Sequence, residues 1–118
     1  MQVLLVAVGG AIGAVARYGV GVGAAKLFGL AFPWGTLMVN VLGCLAMGVL
    51  AARLDPADES LRLAVGVGVL GGFTTFSAFS WQTFEQLQKG NWGTAAANVL
   101  ISIVVCIAAT WLGWRWAR

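Results

Sequence analysis

The sequence predicts an all-α membrane protein with four transmembrane helices. Of its 118 residues, 60% are hydrophobic and only 9% are charged, whereas a soluble domain carries about 25% charged residues. A soluble fold of this size could not bury so much apolar surface. Four stretches have almost no charge, and each is long enough for the roughly 20 residues that cross a bilayer. Residues 1–118 are therefore predicted to form a single transmembrane domain in a lipid bilayer.

Short connections separate the four predicted spans, which are Val3–Ala25, Trp34–Ala52, Arg62–Gln86 and Trp92–Trp114. The first span contains one charge, Arg17, and it lacks the basic start of a signal peptide. Several tryptophans stand at span ends, where indole rings favour the membrane–water interface. An acidic, proline-containing turn joins the second span to the third.

The basic residues favour neither orientation in the membrane strongly. The side that would hold both termini carries four arginines, and the other side carries two lysines, with Arg17 belonging clearly to neither. The four arginines are Arg53, Arg62, Arg115 and Arg118, and the lysines are Lys26 and Lys89. This difference is small for the positive-inside rule. Insertion in both orientations, followed by assembly of an antiparallel pair, is one interpretation. A single orientation with the N-terminus inside is the other.

The third span contains GGFTTFSAFS at residues 71–80, which predicts a helix broken near its middle. Each glycine of Gly71–Gly72 lowers helix propensity by about 1 kcal/mol relative to alanine. Thr74 and Thr75 compete for backbone hydrogen bonds. Unwound backbone at membrane depth persists only where it is buried in protein or lines a site, and its freed carbonyls suit a cation.

Three phenylalanines of this stretch, Phe73, Phe76 and Phe79, follow at intervals of three, which predicts one helix face. Their electropositive ring edges could face a bare anion. Contact with lipid or core packing is the alternative, and it is preferred for Phe73.

Polar side chains recur every four residues in two spans. The fourth span has Thr94, Asn98, Ser102, Cys106 and Thr110, and the second has Thr36, Asn40, Cys44 and then Gly48. Such stripes are typical of tight helix–helix seams or of a polar pathway, and the two asparagines favour a pathway or a network. No carboxylate lies near the middle of a span, which favours an anion over a cation. Burial is predicted for the two cysteines, since their spacing is not that of a metal site.

Three motifs together resemble the Fluc (CrcB) family of fluoride channels. They are GGAIGAVARY at residues 9–18, WGTLMVNVLGC at 34–44 and GGFTTFSAFS at 71–80, and the resemblance covers nearly the whole chain. It implies a passive fluoride channel of the bacterial inner membrane, multi-pass and not an enzyme. It also implies an antiparallel homodimer with two pores and a central structural sodium ion. No nucleic-acid partner is expected.

The resemblance also implies roles for individual residues. Asn40, Phe76, Phe79 and Ser102 match the lining of the pore, and Asn98, Cys106 and Thr75 are further pore-lining candidates. Arg17 matches a vestibule or structural arginine, and the backbone carbonyls of Gly71 and Thr74 match the sodium ligands. The chain departs from the family pattern at Gln82, Asn98 and Cys106, where a glutamate, an aromatic residue and a serine are common.

Two other functions remain as alternatives. A small multidrug-resistance-type exporter, a dimer that couples transport to protons, needs a carboxylate within its first helix, and this chain has none there. A membrane assembly subunit without transport activity would be held by close helix seams such as Gly9–Gly13.

Overall fold

The computed structural model covers residues 1–118 and contains helices and short connections only. Two long helices come first, α1 (Gln2–Phe28) and α2 (Trp34–Arg53). A composite third rod follows, made of α3 (Glu59–Leu61), a π-helical segment (Arg62–Leu70), α4 (Gly71–Phe73) and α5 (Phe76–Gln88). The last helix is α6 (Trp92–Ala117).

Four rods are long and apolar enough to cross a membrane: α1, α2, the composite rod Glu59–Gln88 and α6. This confirms the four predicted spans, and the helices extend at most three residues beyond the predicted ends. Only 18 of the 118 residues are buried within the chain. Most apolar side chains are therefore left to contact lipid or another protein, as the composition predicts.

Close backbone approach at glycines fixes the two main helix pairs. α1 packs along the π segment, and a side chain at Gly9 or Gly13 would run into the backbone of Ala64 or Val69. The Gly9–Gly13 seam is therefore used inside one chain. α2 packs along α6, where Gly48 lies against the carbonyl of Thr110.

The third rod is broken, as predicted, but at the threonines and not at the glycines. Thr74 (φ −84°, ψ 158°) and Thr75 (φ −150°, ψ 120°) are extended. Gly71 remains helical (φ −63°, ψ −39°). Gly72 lies against α1, and an added Cβ would come within 3.1 Å of the Gly10 Cα. The glycines and the threonines were expected to unwind the helix together; this is confirmed for the threonines and wrong for the glycines, because close packing accounts for Gly72.

The break also separates the phenylalanines. Phe73 ends α4 and Phe76 begins α5, so the predicted single face of three rings was wrong. Phe76 and Phe79 still form a pair on α5, with ring centroids 5.4 Å apart and planes tilted by 47°. This geometry is within the range typical of interacting aromatic rings.

The π segment before the break was not predicted. Its i→i+5 hydrogen bonding is illustrated by the amide of Gly71, which donates to the carbonyl of Gly66. Such turns are uncommon and tend to occur near functional sites. Gly66 and Gly68 within it are buried, and an added Cβ on Gly68 would lie 3.0 Å from the Gly9 Cα.

Candidate functional site

A groove of about 340 Å³ lies beside the helix break, on the face of the chain where α2, α5 and α6 meet. Its lining residues are Asn40, Cys44, Thr74, Thr75, Phe76, Phe79, Ser102, Ile103, Cys106 and Ile107. Six of the seven predicted pore-lining residues are thus brought together, the exception being Asn98. Thr74, predicted through its carbonyl, also lines the groove, as does Cys44, which the sequence placed only in a stripe.

The side chain of Asn40 holds the break open. Its Nδ2 donates to the Thr75 carbonyl at 3.0 Å, and its Oδ1 accepts from the Thr75 amide at 2.8 Å. These two bonds replace helical partners that Thr75 lost in the extended backbone. Because an amide has two N–H groups, the second N–H of Asn40 remains available at the groove. Sequence reasoning found Asn40 but not this structural role.

At the break, two backbone amides donate to side chains and no longer to their helical carbonyls. In a continuous helix the Thr75 amide would donate to the Gly71 carbonyl, and the Ala78 amide to the Thr74 carbonyl. The Thr75 amide donates instead to Asn40 Oδ1. The Ala78 amide donates to Thr75 Oγ1 at 3.1 Å, which caps α5. Gly71 and Thr74 are therefore released as acceptors, and of the two only Thr74 lines the groove.

The aromatic rings of the groove lie at the first turn of α5. Phe76 is 79% exposed in the isolated chain, and Phe79 beside it is half-buried. The N-terminus of α5 carries the positive end of the helix dipole, which favours negative charge nearby. The electropositive ring edges and the positive end of the helix dipole therefore lie together at the groove.

The polar stripes of α2 and α6 face each other. Asn40 and Cys44 line the same groove as Ser102 and Cys106, and one turn further on Gly48 meets Thr110. The two helices therefore run in the same direction with the four-residue repeats in register. The two stripes therefore line a polar groove at one level and form a close helix–helix seam at the next. Both structures predicted for the stripes, a pathway and a seam, are thus present in different parts of the α2–α6 contact.

Asn98 is 1% exposed and lies inside the chain, away from the groove. Its Nδ2 donates to Thr83 Oγ1 at 3.0 Å, and its Oδ1 accepts from the Ser102 hydroxyl at 3.3 Å. Thr83 in turn donates to the Phe79 carbonyl at 2.8 Å. This network connects α6 with α5, and it directs the Ser102 proton inward.

Arg17 lies on the other side of the break. Its Nε donates to the Gly72 carbonyl at 3.1 Å, and it lines a second cavity of about 490 Å³ that also reaches Thr75. The one ion pair in the structure joins Arg62 to Glu59 at 3.9 Å. Arg17 therefore has no acidic partner, and its charge is available to an anion in that cavity.

A third cavity of about 310 Å³ opens at the end of the second one and is more polar. Gln82, Glu85 and Lys89 are among its lining residues. The Oε1 atom of Gln82 is buried there without a hydrogen-bond partner. The departure from the family pattern at Gln82 thus lies in this end cavity and outside the groove.

The groove carries hydrogen-bond donors and aromatic rings but no carboxylate. No three residues among cysteines, aspartates and glutamates are close enough to hold a metal ion together. An arrangement of this kind can strip and replace the water shell of a small anion, and it offers no nucleophile paired with a base.

Comparisons with known proteins agree with this chemistry. Residues 4–114 match the family described as CrcB-like protein, Camphor Resistance (CrcB). A protein from Geobacter sulfurreducens named fluoride-specific ion channel FluC is 47% identical over 119 residues, which cover 98% of this chain and 96% of the relative.

Two further relatives carry the same name. The protein from Magnetococcus marinus is 49% identical over 117 residues, covering 96% of this chain and 94% of the relative. The protein from Opitutus terrae is 47% identical over 115 residues, covering 93% of this chain and 87% of the relative.

Proposed function

This chain belongs to the CrcB-like protein family. We propose that it is a fluoride-selective channel that lets fluoride leave the cell passively. It is a multi-pass protein of the bacterial inner membrane and not an enzyme. The observation that carries the proposal is the groove that places Phe76, Phe79 and Asn40 beside a helix N-terminus with no carboxylate nearby.

Fluoride would first approach the cavity at Arg17, whose charge has no acidic partner in the chain. A cavity lined by one sign of charge raises the local concentration of the opposite ion. Thr75 lines both this cavity and the groove, so it stands between them. The vestibule assigned to Arg17 thus adjoins the proposed pore.

Donors in the groove would replace part of the water shell of fluoride. Asn40 keeps one N–H that Thr75 does not use. The bond from Ser102 to Asn98, at 3.3 Å, is long for a hydroxyl donor, so the hydroxyl can turn toward an anion at small cost. The ring edges of Phe76 and Phe79 would contact fluoride without binding it tightly. Several weak sites allow an ion to leave the pore as well as to enter it. Cys106 would contribute a weaker donor.

A second copy of the chain would complete the pore. The groove is open along one side, and Phe76 is 79% exposed in a single chain. In an antiparallel homodimer each chain would cover the groove of its partner, so the pair would contain two pores. The two-fold axis of such a pair would bring its two helix breaks toward each other.

The carbonyls of Gly71 and Thr74 suit a structural sodium ion at the dimer centre. Both are the acceptors whose helical amide partners donate to side chains. Carbonyl oxygens are hard ligands, and unwound backbone at membrane depth commonly coordinates Na⁺. When bound, the ion would offset the repulsion between inward-pointing carbonyl dipoles.

Neither alternative gains support. α1 carries no carboxylate for proton-coupled export, and Glu85 lies in the end cavity. The Gly9–Gly13 seam, which would have held an assembly subunit to a partner, is occupied by the π segment of the same chain.

The test is anion efflux from liposomes that contain the purified protein. Vesicles loaded with potassium fluoride should release fluoride when valinomycin removes the voltage, and vesicles loaded with potassium chloride should retain chloride. Protein-free vesicles are the control. Equal release of both anions, or proton exchange stimulated by a cationic drug in place of fluoride release, would overturn the proposal.

A further inference from the structure

The two cysteines of the chain are neighbours across the helix pair. Cys44 on α2 and Cys106 on α6 line the same groove, and each is half-buried and free. The close backbone approach of Gly48 to Thr110, one turn further along the same two helices, places the two cysteines at facing positions. The shared four-residue repeat in two helices running in the same direction accounts for this, since one pair in the register is Asn40 with Ser102 and the next is Cys44 with Cys106.

The surroundings determine which metal could use these two sulfurs. Zinc takes four ligands, and even its open sites have three from protein. No third cysteine, aspartate or glutamate is close enough to assist, and the chain contains no histidine. Soft thiolates favour soft cations, and a cation that prefers linear, two-coordinate geometry needs no further ligand.

We propose that Cys44 and Cys106 form a two-thiolate site for linear, soft cations of the Hg²⁺, Ag⁺ and Cu⁺ class. Binding of Hg²⁺ forms two metal–sulfur bonds, and the two thiol protons leave to water. The bound ion lies in the groove beside Asn40 and Phe79, so it obstructs the path of fluoride. This obstruction rests on the proposed function, whereas the binding itself does not.

The first test measures binding alone. Purified, reduced protein in detergent is titrated with mercuric nitrate while the mercury–thiolate ultraviolet absorption is recorded. The absorption should saturate at one Hg²⁺ per chain. In Cys44→Ala and Cys106→Ala the apparent affinity should fall by about 100-fold, because the second sulfur acts at a high effective concentration. Saturation at two Hg²⁺ per chain, or equal affinity in the single variants, would overturn the site.

The second test measures fluoride efflux from liposomes with and without Hg²⁺, and each variant is compared with its own metal-free rate. Efflux through the parent should stop at one Hg²⁺ per chain and return when excess dithiothreitol is added. The Cys44→Ala/Cys106→Ala double variant should not respond to Hg²⁺. Unchanged efflux from a parent that has bound one Hg²⁺ would overturn the obstruction. Absence of efflux before any metal is added would instead count against the proposed function, and the titration would still decide the site.

Discussion

The side chain of Asn40 and the backbone of Thr75 form a reciprocal pair, with Asn40 Nδ2 donating to the Thr75 carbonyl at 3.0 Å and the Thr75 amide donating to Asn40 Oδ1 at 2.8 Å. One side chain therefore replaces both helical backbone hydrogen bonds of Thr75. The same pair releases the Gly71 carbonyl and keeps the Asn40 amide at the groove. The helix break and the proposed pore are consequently built on one contact.

Asn40→Asp should reduce fluoride efflux by more than tenfold. The carboxylate cannot donate to the Thr75 carbonyl, and it repels the anion by about 4 kcal/mol at 4 Å for an effective dielectric constant of about 20. The measurement is fluoride efflux from liposomes, and Asn91→Asp, at an exposed position outside the groove, is the control. Efflux from Asn40→Asp equal to that of the control would contradict the assignment.

Asn98→Ala should destabilise the protein by about 1–3 kcal/mol, because it leaves the polar partners of a buried amide unsatisfied. Those partners are Thr83 and Ser102. The measurement is the free energy of unfolding in detergent. Thr94→Ala, one turn earlier on α6 at a half-buried position, should change it little. Similar losses in both variants would show that the network adds no stability of its own.

Gly48→Ala should weaken the packing of α2 on α6 by about 1–3 kcal/mol, since an added methyl group in a close-packed seam forces the backbone apart. Its Cβ would meet the Thr110 carbonyl and lie 2.8 Å from the Trp114 amide. Gly23→Ala, where a Cβ has no neighbour within 4 Å, should instead be neutral or stabilising by about 0.5–1 kcal/mol. Thermal unfolding of the two variants distinguishes these outcomes, and equal shifts would refute the seam.

Removal of sodium should lower the stability of the assembled protein. An ion present at about 100 times its Kd stabilises the state that binds it by about 2.7 kcal/mol. Thermal unfolding in sodium chloride should therefore occur at a higher temperature than in potassium or choline chloride of equal ionic strength. Identical unfolding in all three salts would argue against sodium at the Gly71 and Thr74 carbonyls.

The four spans were predictable because the bilayer imposes one requirement, an apolar run of sufficient length, that each segment meets alone. The place of the break was less predictable. Gly71–Gly72 has low helix propensity, yet Gly72 remains helical because α1 approaches it at Gly10. Tertiary packing overrides helix propensity here. Because this packing moves the break to the threonines, Phe73 lies on a different helical segment from Phe76 and Phe79, which their spacing of three residues could not reveal.

The pairing of the two polar stripes could not be derived from either stripe. Each repeats every four residues, but only the structure shows that Asn40 faces Ser102 while Asn98 points inward to Thr83. The π segment has no clear local signal either, since its glycines could equally serve an α-helix. The pore roles of these residues and the sodium ligands remain predictions.

The most direct test of the account compares fluoride efflux through Phe79→Ile and Phe84→Ile. Phe79 lies in the groove, and Phe84, on the same helix, is 49% exposed and outside it. If ring edges carry fluoride, Phe79→Ile should lose at least about tenfold in rate, equivalent to 1.4 kcal/mol, while Phe84→Ile should conduct like the parent. Equal fluoride efflux through both variants would contradict the central claim.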